Sequence, residues 1–402
     1  MNRSQLAVSR RGFLQQAAAG AAAATIVPRN VLGQGRTPPS EEFGGALIGA
    51  GGRGGTTFKM MGPDIRLLAK CDVKFLDRAD NKTIYTDYRR VLERDDIHVV
   101  AIATPPHWHA LISIAAMAAG KDVLCEKPMT KFIAEGRAVV DAERRYGRIF
   151  QIGTFGRFKA DRQKHKLMAS GLLEMCNAVV IRRGFNVKIH CGMVRYDVGP
   201  VPPNLDWDMY CGPAPRRPFQ RHRFGASHRN YWDYEGGGIG DHGQHAFDPI
   251  QYTYAKDFTS PVEIEAYAPP QHPEACGMWG WVELRYADGL TFVLDSGEGL
   301  QRYERRGPRD VSEDDLNEAA RARLREMPDP EPLVTFAEAI RTRRRAGGHA
   351  EASHRSATLL HLANIAIRCG RKIQYDPDKE EIIGDEEANR LVHQPMRAPW
   401  RT

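Results

Sequence analysis

The stretch ALIGAGGRGGTTFKMMGPDIRLLAKCD, from Ala46 to Asp72, decides the fold of this chain. It begins with a short apolar run that predicts a strand, continues through glycines with G-x-G-x-x-G spacing, and ends with a second apolar strand. Gly49 permits a tight turn, Gly51 lets a pyrophosphate approach the backbone, and Gly54 lets the next helix pack against the strand. The stretch therefore predicts a dinucleotide-binding βαβ unit.

The dinucleotide expected at this turn is NAD. Backbone N–H groups at the start of the helix would bind its phosphates. Asp72 would accept hydrogen bonds from the adenosine ribose hydroxyls, which favours NAD over NADP. Lys74 and Arg78 lie close enough in the sequence to weaken that preference. A P-loop is the nearest alternative, but Gly55 stands where a P-loop requires its lysine.

The composition is typical of a globular protein with more than one domain. A chain of 402 residues is too long for one ordinary core, and after the first 33 residues no apolar run could cross a membrane. The net charge of +7 is modest, and the TRRR cluster ending at Arg345 is better explained by a solvated helix face than by nucleic-acid binding. Seven cysteines without C-x-x-C or zinc spacing predict neither a disulfide framework nor a metal site.

The N-terminus carries a pattern typical of an export signal. Residues 9–14 read SRRGFL, and an alanine-rich apolar stretch from Ala17 to Val27 follows. Paired arginines before a short, weakly hydrophobic segment resemble a twin-arginine signal. An amphipathic helix would explain the alanines but not the arginines. We assign residues 1–33 to the signal, with cleavage between Ala24 and Gln34, and residues 34–43 to an extended arm.

Export by this route places the protein in the periplasm or otherwise outside the inner membrane, and this constrains its chemistry. Twin-arginine export carries folded proteins into a space without a dependable supply of free nicotinamide dinucleotide. The cofactor would then be loaded before export and held tightly. A trapped cofactor must be regenerated in the same site.

Strands and helices alternate through residues 44–157. This rhythm predicts an α/β domain with a doubly wound parallel sheet. Beyond the glycine turn, the strands are expected in HVVAIATPP, DVLCEKP and RIFQIG, and the helices over 56–61, 85–94, 109–119 and 133–146.

The pattern changes in residues 158–402. A long irregular stretch from His190 to Tyr234 is rich in Pro, Gly, Arg and aromatic residues, and loops of this length are usually functional. A helix is expected over Gly236–Tyr254, followed by three antiparallel strands, the last two joined at the turn signal Asp288-Gly289. Further helices are expected over 161–170, 333–345 and 351–369, and further strands in AVVIRRGFNV and RKIQYDP.

Two sets of residues have the character of a reaction centre. Lys127 follows a parallel strand at its carboxyl end, where ligands of such sheets bind, although an exposed lysine is an equally good reading of its position alone. Asp241 and His245 share one face of the predicted helix, and a carboxylate beside an imidazole can act as a general base. Asp241 could instead cap that helix, or bind a metal together with His242 and His245, but three candidates without a supporting cluster make a metal improbable.

With these residues in place, the chain resembles the glucose–fructose oxidoreductase, inositol dehydrogenase and MocA-like (Gfo/Idh/MocA) family. GAGGRG with Asp72 is similar to its nucleotide motif, TPPHWH to its T-P-x-x-x-H element, CEKP to its lysine signature, and GGGIGDHGQH to its substrate-site motif. GRF, which contains Arg157, is similar to the segment that crosses between its domains. NLDWDMYCGPAPRRPF and GDEEANRLV…RAPWR resemble a secreted bacterial subgroup with twin-arginine leaders.

The resemblance implies a second α/β domain with a large open, mostly antiparallel sheet, through which members often form dimers or tetramers. C-terminal helices could return to the first domain. LQRYERRGPRDVSEDD, which follows Gly299, departs from the strands usually found there. The expected cofactor-binding residues are Gly49, Gly51, Gly52, Arg53, Gly54, Asp72, Thr104, Pro105, His109, Glu126 and Lys127; the expected substrate-binding residues are Lys127, Arg157, Asp241, His242 and His245.

We therefore predict hydride transfer between a sugar-like carbinol carbon and nicotinamide. His245 would act as acid and base, Asp241 would orient it, and Lys127 would stabilise charge on oxygen. One alternative is glycoside cleavage or epimerisation through transient oxidation with internal recycling of the cofactor. Another is a non-catalytic sugar or dinucleotide sensor, against which the presence of all three residues argues.

Overall fold

The computed structural model describes residues 42–175, 178–185, 188, 197–297, 300–393 and 395–401. The predicted export signal and all but the last two residues of the predicted arm lie outside these residues.

The first sheet contains six parallel strands in the order β3-β2-β1-β4-β5-β6. Strand order reverses between β1 and β4, so the chain leaves these two neighbours in opposite directions and opens a crevice at their carboxyl ends. The predicted doubly wound sheet is confirmed. The strands are β1 (Phe43–Ile48), β2 (Ile65–Cys71), β3 (Ile84–Tyr85), β4 (Val99–Ile102), β5 (Asp122–Cys125) and β6 (Phe150–Ile152).

Both faces of this sheet are covered, which is why β4 and β5 are apolar without alternation. The helix α4 has the predicted bounds, because Gly147 takes a left-handed conformation (φ 59°) that ends it. The helices of this part of the chain are α1 (Gly54–Lys59), α2 (Tyr88–Leu92), α3 (His109–Ala118) and α4 (Ile133–Tyr146).

The second sheet has the order β12-β11-β8-β9-β10-β7, and only the pair of β10 with β7 is parallel. The mostly antiparallel sheet implied by the family resemblance is therefore confirmed. The turn between β9 and β10 uses Gly289 at φ 93°, as the Asp-Gly signal predicts. The strands are β7 (Val179–Arg183), β8 (Glu263–Tyr267), β9 (Trp281–Arg285), β10 (Thr291–Asp295), β11 (Ile373–Asp376) and β12 (Glu381–Ile382).

Helices from the second half of the chain join the two sheets. The helix α10 (Ala350–Cys369) packs between α4 and α7 (Gly237–Thr253). The helix α9 (Phe336–Thr342) places Phe336 and Ile340 in the core beside β1 and β4. The C-terminal part of the chain thus returns to the first sheet. The remaining helices are α5 (Arg162–Ala169), α6 (Trp207–Cys211), α7 (Gly237–Thr253), α8 (Glu318–Glu326), α9 (Phe336–Thr342), α10 (Ala350–Cys369) and α11 (Glu386–Asn389).

The divergent segment after β10 crosses the face of the second sheet that points away from α7. Tyr303 packs edge-on against Trp281 and donates a hydrogen bond of 2.6 Å to Glu283, and Arg305 lies over the Trp281 ring. This segment shields the centre of that face from solvent. Within the described ranges, no helix is both long and apolar enough for a membrane span.

Candidate active site

A cavity of about 580 Å³ lies at the carboxyl ends of the first sheet, between it and the second half of the chain. Its volume is within the range of small-molecule sites, about 300–1,000 Å³. The glycine turn is at one end and α7 contributes at the other. The predicted site residues that line it are Gly49, Gly51, Gly52, Arg53, Asp72, Thr104, Pro105, Glu126, Lys127 and His245.

The glycine turn has the shape that a pyrophosphate requires. Gly49 has φ 88°, and a Cβ atom there would lie 2.5 Å from the backbone of Ala103. A Cβ on Gly54 would lie 2.2 Å from the Gly49 carbonyl oxygen, so Gly54 serves the packing of α1 and does not line the cavity. A Cβ on Gly52 would meet nothing within 4 Å, which leaves the backbone open to a ligand. These residues fit a dinucleotide.

Asp72 follows β2 and lines the cavity at the position expected for the ribose. Its carboxylate accepts a hydrogen bond of 3.0 Å from the backbone N–H of Lys74. The Lys74 ammonium lies 3.9 Å from Asp72 and would be 2.8 Å from a Cβ on Gly51. Arg78 instead stacks on the ring of Phe75. Lys74 and Arg78 were both expected to weaken the preference for NAD. Only Lys74 of these two lies beside Asp72.

Glu126 joins the glycine turn to the end of β5. Its carboxylate accepts hydrogen bonds from the Thr57 hydroxyl at 2.7 Å and from Arg53 Nε at 3.0 Å. Burial alone would raise the pKa of Glu126, but these two donors outweigh it and lower the pKa. Glu126 is thus a carboxylate at neutral pH and holds Arg53 at the rim of the cavity.

Lys127 reaches from the end of β5 to the first turns of α7. Its ammonium lies 3.0 Å from the Asp241 carboxylate and also donates to the Asp241 backbone carbonyl. Arg229 Nε donates to the same carboxylate oxygen at 2.8 Å, and His242 Nδ1 lies 3.1 Å from the other oxygen. The Asp241 carboxylate thus pairs with Lys127 and Arg229, and its role in orienting His245 stays a prediction. Neither Asp241 nor His242 lines the cavity.

His245 projects into the cavity from α7 and is accessible to solvent there. Desolvation of its ring, and then the Lys127 ammonium, lower the pKa of His245 below its usual value. A neutral imidazole at neutral pH can accept a proton. The described residues contain no group of three or more His, Cys, Asp or Glu side chains that could hold a metal.

Two of the predicted ligand-binding residues are structural. His109 is buried, with Nδ1 2.7 Å from the Pro128 carbonyl and Nε2 2.8 Å from the Thr104 carbonyl, so it joins two cavity loops instead of reaching the dinucleotide. Arg157 is only 1% exposed and forms ion pairs with Asp248, at 3.1 Å, and with Asp257. A side chain so enclosed cannot touch a substrate.

Several lining residues were not predicted. One group of them comes from the irregular stretch before α7 and its junction with that helix; the length of the stretch indicates a functional loop, but its sequence has no spacing that identifies individual residues. His228 Nε2 lies 3.0 Å from the Glu235 carboxylate, a contact too poorly aligned for a hydrogen bond. The additional lining residues from this stretch are Met209, Tyr210, Phe224, Gly225, Ala226, His228, Arg229 and Glu235.

One cavity contains the glycine turn, Asp72 and Lys127 of the first domain together with His245 of the second. This arrangement defines a two-domain dinucleotide-binding protein. Comparison with known families gives the particular group. Residues 69–154 match "Oxidoreductase family, NAD-binding Rossmann fold", and residues 159–402 match "Oxidoreductase family, C-terminal alpha/beta domain". The chain belongs to the Gfo/Idh/MocA oxidoreductase family.

Similar proteins include sugar-related enzymes. Levoglucosan dehydrogenase of Pseudarthrobacter phenanthrenivorans is 51% identical over 57 residues, which are 14% of this chain and 15% of that protein. A glycosyl hydrolase family 109 protein of Shewanella baltica is 30% identical over 173 residues, covering 34% of this chain and 37% of that protein. The chain thus matches well under half the length of these relatives.

A solved structure extends the likeness to nearly the whole fold. The WlbA dehydrogenase of Bordetella pertussis, in complex with NADH and UDP-GlcNAcA, has a TM-score of 0.54 over 83% of this chain and 99% of that chain. The sequence identity is 14%, so this likeness concerns the fold alone.

Proposed function

We propose that the protein is a sugar oxidoreductase that transfers a hydride between a carbinol carbon of a sugar or sugar derivative and NAD. The observation that carries the proposal is one cavity that contains the ribose acid Asp72 at one end and Lys127 with His245 at the other. A nicotinamide ring and a substrate alcohol bound in such a cavity would both be within reach of these two side chains, which supports the proposal. NADP is the less favoured cofactor because Asp72 would repel a 2′-phosphate.

The two side chains divide the proton chemistry of alcohol oxidation. A bound nicotinamide supplies the hydride acceptor. The neutral His245 ring takes the hydroxyl proton, and the Lys127 ammonium stabilises the negative charge that develops on the same oxygen. Reduction of a carbonyl uses the same groups in reverse, with His245 as the acid.

Asp241 contributes by holding Lys127 in place. Lys127 and Asp241 side chains are each only 13% exposed, so their ion pair is weakly screened and directional. Arg229 shares the same carboxylate oxygen, and its guanidinium lines the cavity. Arg229 is therefore placed to donate a hydrogen bond to a further hydroxyl of the sugar.

A panel of mono- and disaccharides, followed by the absorbance of reduced nicotinamide, tests the reaction and identifies the sugar. Lys127→Ala should bind NADH but lose turnover on the order of a hundredfold, because one preorganised charge contributes about 3 kcal/mol to such steps. Unchanged turnover in Lys127→Ala would favour another mechanism. A panel without any turnover, combined with sugar-dependent changes in NADH fluorescence, would favour a sensor.

A redox-neutral reaction is the second candidate. The match to a glycosyl hydrolase family 109 protein over 173 residues supports glycoside cleavage through transient oxidation, with epimerisation as a related outcome. The proposed export of the protein also favours a tightly held cofactor that is recycled in place. Turnover of a glycoside without added NAD, together with NAD detected by mass spectrometry in the denatured protein, would select this candidate. Dehydrogenase activity that requires added NAD would reject it.

A further inference from the structure

Two sequence motifs that the proposed reaction does not use meet in the fold. The first is NLDWDMYCGPAPRRPF, whose residues 204–212 we call the roof segment because it covers one end of the cavity. The second is RAPWR, which belongs to the C-terminal tail, residues 395–401. They are far apart in the chain, so their contact is a property of the tertiary structure.

The roof segment is hydrogen-bonded to the loop that carries Asp72. The backbone N–H of Asp206 donates to the Val73 carbonyl at 2.9 Å, and that of Leu76 donates to the Asn204 carbonyl at 3.3 Å. Because Val73 directly follows Asp72, these bonds place the roof segment beside the adenosine end of the expected dinucleotide.

It is also bonded to the loop that follows β4. Trp108 Nε1 donates to the Met209 carbonyl at 3.0 Å, and His107 Nε2 lies 2.9 Å from the Tyr210 carbonyl. Burial lowers the pKa of His107 to about 3, so the ring is neutral and Nε2 carries the single proton that this bond needs. Met209 and Tyr210 line the cavity. The roof segment thus bridges the loop after β2 and the loop after β4, both of which line the cavity.

The helix in the roof segment cannot hold this position alone. α6 has five residues, and helices of this length are unstable without tertiary contacts. It ends at Gly212, where φ is 51° and a Cβ would lie 2.2 Å from the Trp108 ring. The glycine therefore allows the end of α6 to lie directly on the loop after β4.

The tail supplies the missing contacts at this end of α6. Arg397 Nε donates to the Gly212 carbonyl at 2.9 Å, and Nη1 donates to the Asp208 carboxylate at 2.9 Å. Nη2 donates to the Asp208 backbone carbonyl at 3.0 Å. The Gly212 carbonyl thereby gains a donor, the Asp208 carbonyl gains a second donor beside the Gly212 N–H, which lies at 3.0 Å, and a cation is placed at the negative end of the helix. Arg216 also contacts the Asp208 carboxylate, so the bond to the Gly212 carbonyl is what distinguishes Arg397 from Arg216.

Trp400 fixes the tail against the first domain. Its ring lies 4.8 Å from that of Trp108 in an edge-to-face arrangement, and Arg89 lies over its other side at 5.3 Å. Trp108 therefore contacts both the roof segment and the tail.

We propose that Arg397 and Trp400 are positioning residues that hold the roof segment closed over the cofactor and thereby slow its release. The proposal rests on the proposed function, because it requires a dinucleotide in the cavity. It gives a physical basis for a cofactor that stays bound through many turnovers.

The test is the rate of NADH release, measured by the change in NADH fluorescence when the loaded protein is mixed with excess NAD. Arg397→Ala should release NADH on the order of tenfold faster, since it loses a forked, charge-assisted set of bonds. Arg397→Lys keeps the charge but not the forked set of donors, so its rate of NADH release should lie between those of the unaltered protein and Arg397→Ala. Trp400→Ala should accelerate release, and Trp400→Phe should largely restore the slow rate.

Arg371→Ala is the matched control. Arg371 makes an equally bidentate contact with Asp385, 2.8 Å for each oxygen, away from the cavity. The Arg371→Ala variant should release NADH at the same rate as the unaltered protein. Equal rates in Arg397→Ala and the unaltered protein, or equal acceleration in Arg371→Ala, would overturn the inference while leaving the proposed function intact. Failure of the unaltered protein to bind NADH would overturn both.

Discussion

Replacing Arg157 with Met separates two roles that this residue could have. The family resemblance implied a substrate contact, whereas the structure encloses the guanidinium among Asp248, Asp257 and the Gly347 carbonyl. Methionine preserves much of the side-chain volume but removes the charge and the donors. We expect a large loss of stability and no direct change in sugar recognition.

The size of the loss follows from burial. The Asp248 and Arg157 side chains are essentially inaccessible, so solvent cannot replace the lost partner. Removing one member of a buried ion pair costs about 3–5 kcal/mol. The Thr154 hydroxyl continues to donate to Asp248 at 2.6 Å, which favours the lower half of that range. With about 1–3 kcal/mol per molar urea, the unfolding midpoint should fall by about 1 M or more.

The effect should also depend on pH. Burial raises the pKa of Asp248, and Arg157 opposes that rise. Without Arg157 the folded protein favours the protonated carboxyl still more, so the variant is least affected at acidic pH, where this carboxyl is protonated in both the folded and unfolded states. The difference from the unaltered protein should grow as the pH rises through the pKa of Asp248 in the folded variant.

Urea unfolding followed by tryptophan fluorescence, at acidic and at neutral pH, measures both effects. Arg371→Ala serves again as the control, because Arg371 is exposed and its surface pairs with Asp385 and Glu387 should each contribute less than about 1 kcal/mol. The reasoning is refuted if Arg157→Met unfolds at the same urea concentration as this control. A raised KM for the sugar at unchanged stability would restore the substrate-binding role.

Two further predictions concern the cavity itself. Gly49→Ala should weaken NADH binding by tenfold or more in a fluorescence titration, because residue 49 has φ 88° and the new Cβ would lie 2.5 Å from the Ala103 backbone. Gly55→Ala is the control, because a Cβ there would meet nothing within 4 Å, and it should bind NADH normally. For oxidation of the sugar, kcat/KM should fall on the acidic side of a pKa below about 6.5, because the His245 pKa is lowered and the ring must be neutral to accept a proton. His245→Gln should remove that dependence, and an inflection at or above the ordinary histidine pKa would contradict the assignment.

The parts of the site that the sequence predicts well are those determined by local physics. Gly49 needs a left-handed φ at a tight turn, and Gly147 ends α4 for the same steric reason. The sequence predicts β4 and β5 from continuous apolar runs, which are a local signal, and both strands are buried along their whole length. Asp72 was located because a ribose acid stands at a nearly fixed distance from the glycines.

The parts that the sequence does not predict depend on partners far away in the chain. Spacing on α7 correctly placed Asp241 and His245 on one helix, but the partner of Asp241 is Lys127, from the other domain. Similarly, a histidine at the start of α3 could cap, bind a ligand or join two loops, and only the tertiary positions of Thr104 and Pro128 decide that His109 joins them. The role of Arg157 also depends on distant residues, because its sequence position does not predict that Asp248 and Asp257 pair with it in the core.

The 3.0 Å contact between Lys127 and Asp241 requires α7 to keep a fixed position against the end of β5, and Gln244 provides it. Gln244 is fully buried one residue before His245, and its Oε1 accepts from the backbone N–H of Met129 at 2.9 Å. Its Nε2 donates to the Ser353 carbonyl at 2.9 Å and to the Ser356 hydroxyl at 2.8 Å on α10. One amide thus connects the loop that carries Lys127, the helix that carries His245 and the helix that spans both domains. Without Gln244 the backbone N–H of Met129 would lose this acceptor in the core, so the docking of the domains and the geometry of the proposed catalytic pair, Lys127 and His245, depend on the same hydrogen bonds.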